Sequence, residues 1–225
     1  MSGTEPGTGA EPVQGRGAAA GQEVEEVAQE RLHWPPPFRF HMALPGTDVL
    51  QAASDAARQG ALGAADVLWC DDGLMLHMAL VLEPDRSARE ALLAVEVMQQ
   101  ALHDALAALL PPQVAIAVAE KGRVLVNGGE IGRVQHVMPD CEAHQEPPWM
   151  VVSAHLNLRR ESGLEGGQQP DVAVLAEEGG EHLASPQLVA EVARHFLLLL
   201  DAGRETGTNT GTDTLPDEAM QGEPT

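Results

Sequence analysis

The chain has 225 residues, 44% of them hydrophobic, which is enough apolar material for one well-buried domain of ordinary size. Thirteen basic residues face thirty-four acidic ones, a net charge of −21, and Lys121 is the only lysine. With no basic stripe and no aromatic platform, the composition argues against nucleic-acid binding, and the same acidity disfavours anionic membrane surfaces.

Residues 1–33 are rich in Gly, Glu, Ala and Pro and hold few large apolar groups, so they are expected to form a disordered acidic tail. They contain no charged-then-apolar signal pattern. WPPPF (34–38) is extended, because three prolines forbid helix. TDVLQAASDAARQG (47–60) opens on a Thr or Asp cap, is rich in alanine and stops at Gly60, which predicts a helix. ADVLWCDDGLMLHMALVLEP (65–84) reads as two strands joined at Asp72-Gly73, a favoured two-residue turn. SAREALLAVEVMQQALHDALAALLPP (87–112) is a long helix capped by Ser87 and ended by a proline pair.

VAIAVAE (114–120) reads as a buried strand. RVLVNGGEIGRVQHV (123–137) reads as strand, tight turn, strand, since Asn127 and Gly128 tolerate positive φ at both central positions. PWMVVSAHLNLR (148–159) is another strand. SPQLVAEVARHFLLLLDAG (185–203) has a Ser cap, Pro in its first turn and a terminal Gly, and its run HFLLLL is too short to span a bilayer. Residues 204–225, rich in Gly and Thr, are expected to be a second disordered tail. The span 34–203 keeps ten basic against twenty-three acidic residues, so the acidity is not confined to the tails.

Hairpins outnumber βαβ crossovers in this order. The expected fold is therefore α/β of the α+β kind, a mixed, mostly antiparallel sheet with packed helices. No GxGxxG follows a strand, and P-loop and GxSxG patterns are absent. Cys70 and Cys141 have no paired spacing, which fits a reducing compartment and predicts a cytoplasmic protein. His136, Asp140, Cys141 and His144 form a conceivable zinc set, set against the reading of that stretch as an exposed polar loop. His77 and His155 fall on predicted strands and read as sheet residues, and His103 and His195 read as helix-face residues.

Glycine gains a strand nothing, so Gly132 in the second arm of the hairpin invites a ligand to approach the backbone, with the Arg133 guanidinium beside an anion. The order of elements, and VAIAVAEKGRVLVNGGEIGRV (114–134) in particular, resembles the catalytic domain of the biotin/lipoate protein ligase family, over roughly residues 40–160. The resemblance implies that family's class II synthetase-like fold. It also implies ATP and Mg as cofactors, biotin, lipoate or another small carboxylic acid as substrate, and a lysine-bearing acceptor domain as partner. It places Arg123, Asn127, Gly128, Gly132, Arg133, Ser153, His155 and Asn157 at the ligand site, with Lys121 or Arg123 to offer catalytic charge.

The departures from the family pattern bear on the chemistry. Adenylation brings an acid and a triphosphate together and needs fixed positive charge at the developing negative centre. The family's lysine, seven residues ahead of the valine that is Val126 here, is replaced by Ala119. Losing such a cation costs on the order of 3–4 kcal/mol of transition-state stabilisation. Lys121, two residues on, shares the face of Ala119 if the strand persists, but Gly122 and Arg123 follow it as in a turn tip. The Gly- and Arg-rich loop expected between the first two strands is reduced to CDDGLM, with no arginine. Ser153 and His155 stand where small glycines are usual, with Asn157 in the Asn slot, and Arg133 occupies a common glycine position. Three functions stay open: an ATP-dependent acyl ligase, a degenerate binding module for a small carboxylic acid or acyl carrier, and an interaction domain whose pocket has closed.

Overall fold

In the computed structural model, residues 34–161, 163 and 171–207 are described. Of the expected tails 1–33 and 204–225, residues 1–33 and 208–225 lie outside the described residues, while 204–207 are helical rather than disordered. Strands β1 (Arg39–Met42), β2 (Asp66–Asp71), β3 (Met75–Leu82), β4 (Ile116–Ala119), β5 (Arg123–Val126), β6 (Gly129–Val137) and β7 (Met150–Asn157) form a seven-stranded sheet in the order β1-β2-β3-β7-β6-β5-β4. Its first pair, β1 with β2, is parallel, and the other neighbours are antiparallel. The helices are α1 (Val49–Arg58), α2 (Ala88–Ala91), α3 (Leu93–Leu109) and α4 (Ser185–Gly207). This is the mixed, mostly antiparallel sheet with packed helices that the periodicity predicts.

Alternation along the strands divides the sheet's side chains between two faces. Leu76, Met78 and Leu80 of β3 and Met150, Val152 and Leu156 of β7 join the buried faces of α3 and α4, with Met98, Leu102 and Phe196 at the centre of the main core. On the other face, Ala79, Val81, Val151 and Trp149 meet Val49, Ala53 and Ala57 of α1 in a smaller cluster. The layers are thus α1, sheet, and α3 with α4. Among the described residues a single ten-residue helix covers that second face, and part of the face stays open near the start of α1.

Several elements differ from the sequence expectation, each for a local reason. β1 is not anticipated by periodicity. It is four residues long and largely exposed, and it exists through pairing with β2 and through Trp34 stacking on Phe40 at 4.0 Å between centroids. The helix expected over 87–112 is present as α2 and α3, joined through Leu92, whose φ/ψ of −59° and −21° stay helical; it ends at Leu109, and Ser87 and Glu90 form the capping box at its start. β4 is the edge strand and is half-buried to exposed, not buried: Ile116 reaches the core beside Val126, but Val118 stays 40% exposed, with no strand beyond it. The β2–β3 turn is shifted by one: Asp72 N–H donates to Met75 O at 3.2 Å, which makes Gly73 (φ 88°) and Leu74 the central pair. The last helix runs four residues past Gly203, to Gly207. The Asn127-Gly128 turn is as expected, with φ of 49° and 91°.

Candidate functional site

Register alone assembles one row of side chains across the α1 face. Ala119 pairs with Arg123, Arg123 with Arg133, Arg133 with His155, His155 with His77, and His77 with Cys70. Directly opposed residues share a face, so five strands bring the empty lysine slot, two arginines and two histidines into line. A bulge between Val124 and Leu125 sets this register.

Where the row passes the start of α1, the face opens into a cavity of about 510 Å³. Its polar lining includes Ser153 and His155 of β7, His77 of β3, Gln135 of β6, Asp72 of the β2–β3 turn and Asp48 at the α1 cap. Ser153 is 6% exposed, yet among the described residues neither its hydroxyl nor the side chains of His77, His155 and Gln135 hydrogen-bond within the chain. Of these four only Ser153 is buried; His77 and His155 are half-buried and Gln135 is exposed, so the group faces the open cavity with donors and acceptors free to meet a polar ligand. The two rings lie 6.2 Å apart between centroids. Burial, then the neighbouring His77 and Arg133 charges, pull the His155 imidazole below its ordinary value, which keeps it neutral at pH 7. Burial pushes the Asp72 carboxyl up, but N–H donation from Met75 (2.7 Å) and Leu74 (3.0 Å) to Oδ1 helps to outweigh it and holds the group below the usual range. Asp48 Oδ1 accepts from Gln51 N–H at 3.0 Å and so caps α1.

Of the sequence-predicted site residues, Ser153 and His155 line the cavity, and Arg123 and Arg133 stand beside it on the row. Arg133 Nη2 donates to Glu130 Oε1 at 2.9 Å, and Arg123 Nη1 lies 3.8 Å from Glu130 Oε2. Lys121 is elsewhere: β4 ends at Ala119, and Lys121 sits exposed in the turn that follows, with φ 59°. Asn127 Oδ1 accepts from Ala115 N–H at 3.0 Å and its Nδ2 donates to Glu178, so with Gly128 it serves the turn. At Gly132 the close approach is made by β7, since an added Cβ would lie 2.2 Å from His155 O. Asn157 Nδ2 donates to Ala173 O at 3.2 Å and ties the end of β7 to the chain beyond.

His77, Asp72, Gln135 and Asp48 are absent from the sequence-based site. The available signal is His77 itself, a lone polar residue in the apolar run MLHMALVL, on the face that α1 leaves uncovered. Among the described residues no group of three or more His, Cys, Asp or Glu is placed to hold a metal ion, His136, Asp140, Cys141 and His144 included. No described helix is long and apolar enough to cross a membrane.

Comparison with known proteins bears on this arrangement. A profile of the Biotin/lipoate A/B protein ligase family matches residues 34–214. A crystal structure of a biotin protein ligase-like protein of unknown function from Silicibacter sp. TM1040 is 31% identical, with a TM-score of 0.69 over 77% of this chain and 74% of that one. The biotin protein ligase of Aquifex aeolicus in complex with biotin and ATP shares the fold at 11% identity, with a TM-score of 0.59 over 74% of this chain and 72% of that one. The biotin protein ligase of Leishmania major in complex with biotin does so at 13% identity, with a TM-score of 0.52 over 84% of this chain and 88% of that one. Comparison with the curated proteins gives no match. The profile spans most of the chain and the sheet carries the same fold: the chain belongs to the biotin/lipoate A/B protein ligase family.

Proposed function

We propose that this chain binds a small organic acid in the cavity on the α1 face and does not adenylate it. The observation that carries the reading is the cavity wall at Ser153 and His155. The resemblance puts the ligand against β7 at those positions, and there a polar wall stands without internal partners. The guanidinium groups of Arg133 and Arg123, next along the row, suit the acid's carboxylate.

The residues present do not fit ATP with Mg. A triphosphate needs concentrated positive charge. Ala119 supplies none, the short β2–β3 turn carries Asp72 in place of arginine, and Arg123 and Arg133 together net a single positive charge against Glu130, enough for one carboxylate and too little for a triphosphate. Free thiols at buried Cys70 and at Cys141 support a reducing, cytoplasmic setting.

One observation favours a second reading. Arg123 is the direct partner of Ala119, so an arginine on the neighbouring strand could stand in for the lysine of a working ligase that passes an acyl group to a lysine-bearing acceptor domain. Calorimetry of the full chain with biotin, lipoate and octanoate, each with and without Mg·ATP, separates the two. Binding of an acid that ignores ATP, with no ATP–pyrophosphate exchange, is the expected result. Exchange that depends on an acid and is lost in Arg123→Ala would establish the ligase instead. No heat from any acid sinks the binding reading.

A further inference from the structure

The cavity lining is acidic on one side, and on the other the arginines of the row stand beside it, outside the lining. Toward β6 and β5, Arg133 and Arg123 share the single carboxylate of Glu130, which leaves one positive charge uncompensated. Toward the β2–β3 turn and the α1 cap stand Asp72 and Asp48. Neither forms an ion pair among the described residues, and each gives only Oδ1 to backbone N–H groups. Between them lie His77, neutral His155 and Ser153, a residue more than nine-tenths buried whose hydroxyl has no hydrogen-bond partner among the described residues. A wholly aliphatic tail would meet carboxylates at the far end. A group that donates hydrogen bonds and carries positive charge would complement them.

We propose that the preferred ligand is an ω-amino acid, with its carboxylate toward Arg133 and Arg123 and its ammonium toward Asp72 and Asp48; this rests on the reading of the cavity as a small-acid site. Adjacent strands lie about 4.8 Å apart, so Arg133 on β6 and His77 on β3, two strands away, are separated by roughly 10 Å. Asp72 lies beyond His77, at the turn. That span suits a medium-length chain with charged ends better than an α-amino acid, whose two charges sit on one carbon.

The test is calorimetry of the full chain with 8-aminooctanoate, octanoate and octylamine, repeated on an Asp48→Asn/Asp72→Asn double variant. Asparagine keeps the Oδ1 acceptor that caps α1 and closes the turn, so the variant removes charge and keeps the local hydrogen bonds. The expected result is 8-aminooctanoate binding about fivefold or more tighter than octanoate at low salt, with the preference erased in the double variant. Equal binding of octanoate and 8-aminooctanoate to the native chain overturns the ammonium end and leaves the acid site standing. Octylamine binding as tightly as 8-aminooctanoate overturns the two-ended ligand. No binding of any probe overturns this inference and the acid-site reading together. If the double variant fails to fold by circular dichroism, the preference of the native chain decides alone.

Discussion

At the scale of single residues, Asp66 holds the open edge of the sheet. It is 4% exposed and opens β2, where it accepts from Arg39 Nε at 2.7 Å and Nη2 at 2.8 Å and from Gly63 N–H at 2.7 Å, with His41 Nε2 at 2.9 Å. The Arg39 guanidinium above all, with Gly63 and His41, outweighs burial and holds the Asp66 carboxyl well below the usual carboxylate range. A depressed folded-state value stabilises the fold above the unfolded value of about 3.9, and that contribution is lost as pH falls through the folded one. Asp66→Asn is therefore expected to cost about 1–3 kcal/mol at pH 7. Urea denaturation should show the gap between native and variant chains narrowing as pH drops below about 4. A gap that widened on acidification would refute the account. The sequence alone does not offer this cluster, since Arg39 and His41 reach Asp66 only through the parallel pairing of β1 with β2. The same limit hid His77 and Asp72: register, not spacing along the chain, sets them near Ser153 and His155.

At the scale of elements, what is legible in the sequence is what the chain does locally. Caps and terminators place α1 and the start of α2, and the Asn127-Gly128 turn declares its hairpin, because each signal acts within a few residues. β1 and β4 are less legible. β1 is a strand only because a partner lies beside it, and β4 reads as buried because its residues are apolar, whereas its place at the sheet edge is not written in the sequence. The capping box matters here because the first turn of a helix leaves backbone N–H groups without intrahelical partners. Ser87→Ala, which removes the acceptor for Glu90 N–H, should cost about 1 kcal/mol. Thermal denaturation should register it, and no measurable change would mean that contacts from the 143–145 loop, where Ala88 N–H donates to Gln145 O at 2.7 Å, hold the turn without the cap.

At the scale of the whole molecule, a net charge of −21 works against compaction. Raising NaCl from about 10 mM to about 150 mM shortens the screening length from roughly 30 Å to 8 Å. It is expected to raise the melting temperature by a few degrees, and a fall would point to ion pairs such as Arg39–Asp66 dominating over repulsion. The composition has a further effect on chemistry. Guanidinium groups do not take up acyl groups at neutral pH, and twelve of the thirteen basic residues are arginine. The exposed turn after β4 presents the sole ε-amine of the sequence, Lys121. The protein is accordingly almost inert toward self-modification. Lys121 is therefore the one side-chain amine that an acylating reagent can modify, and a single lysine peptide would carry that mark.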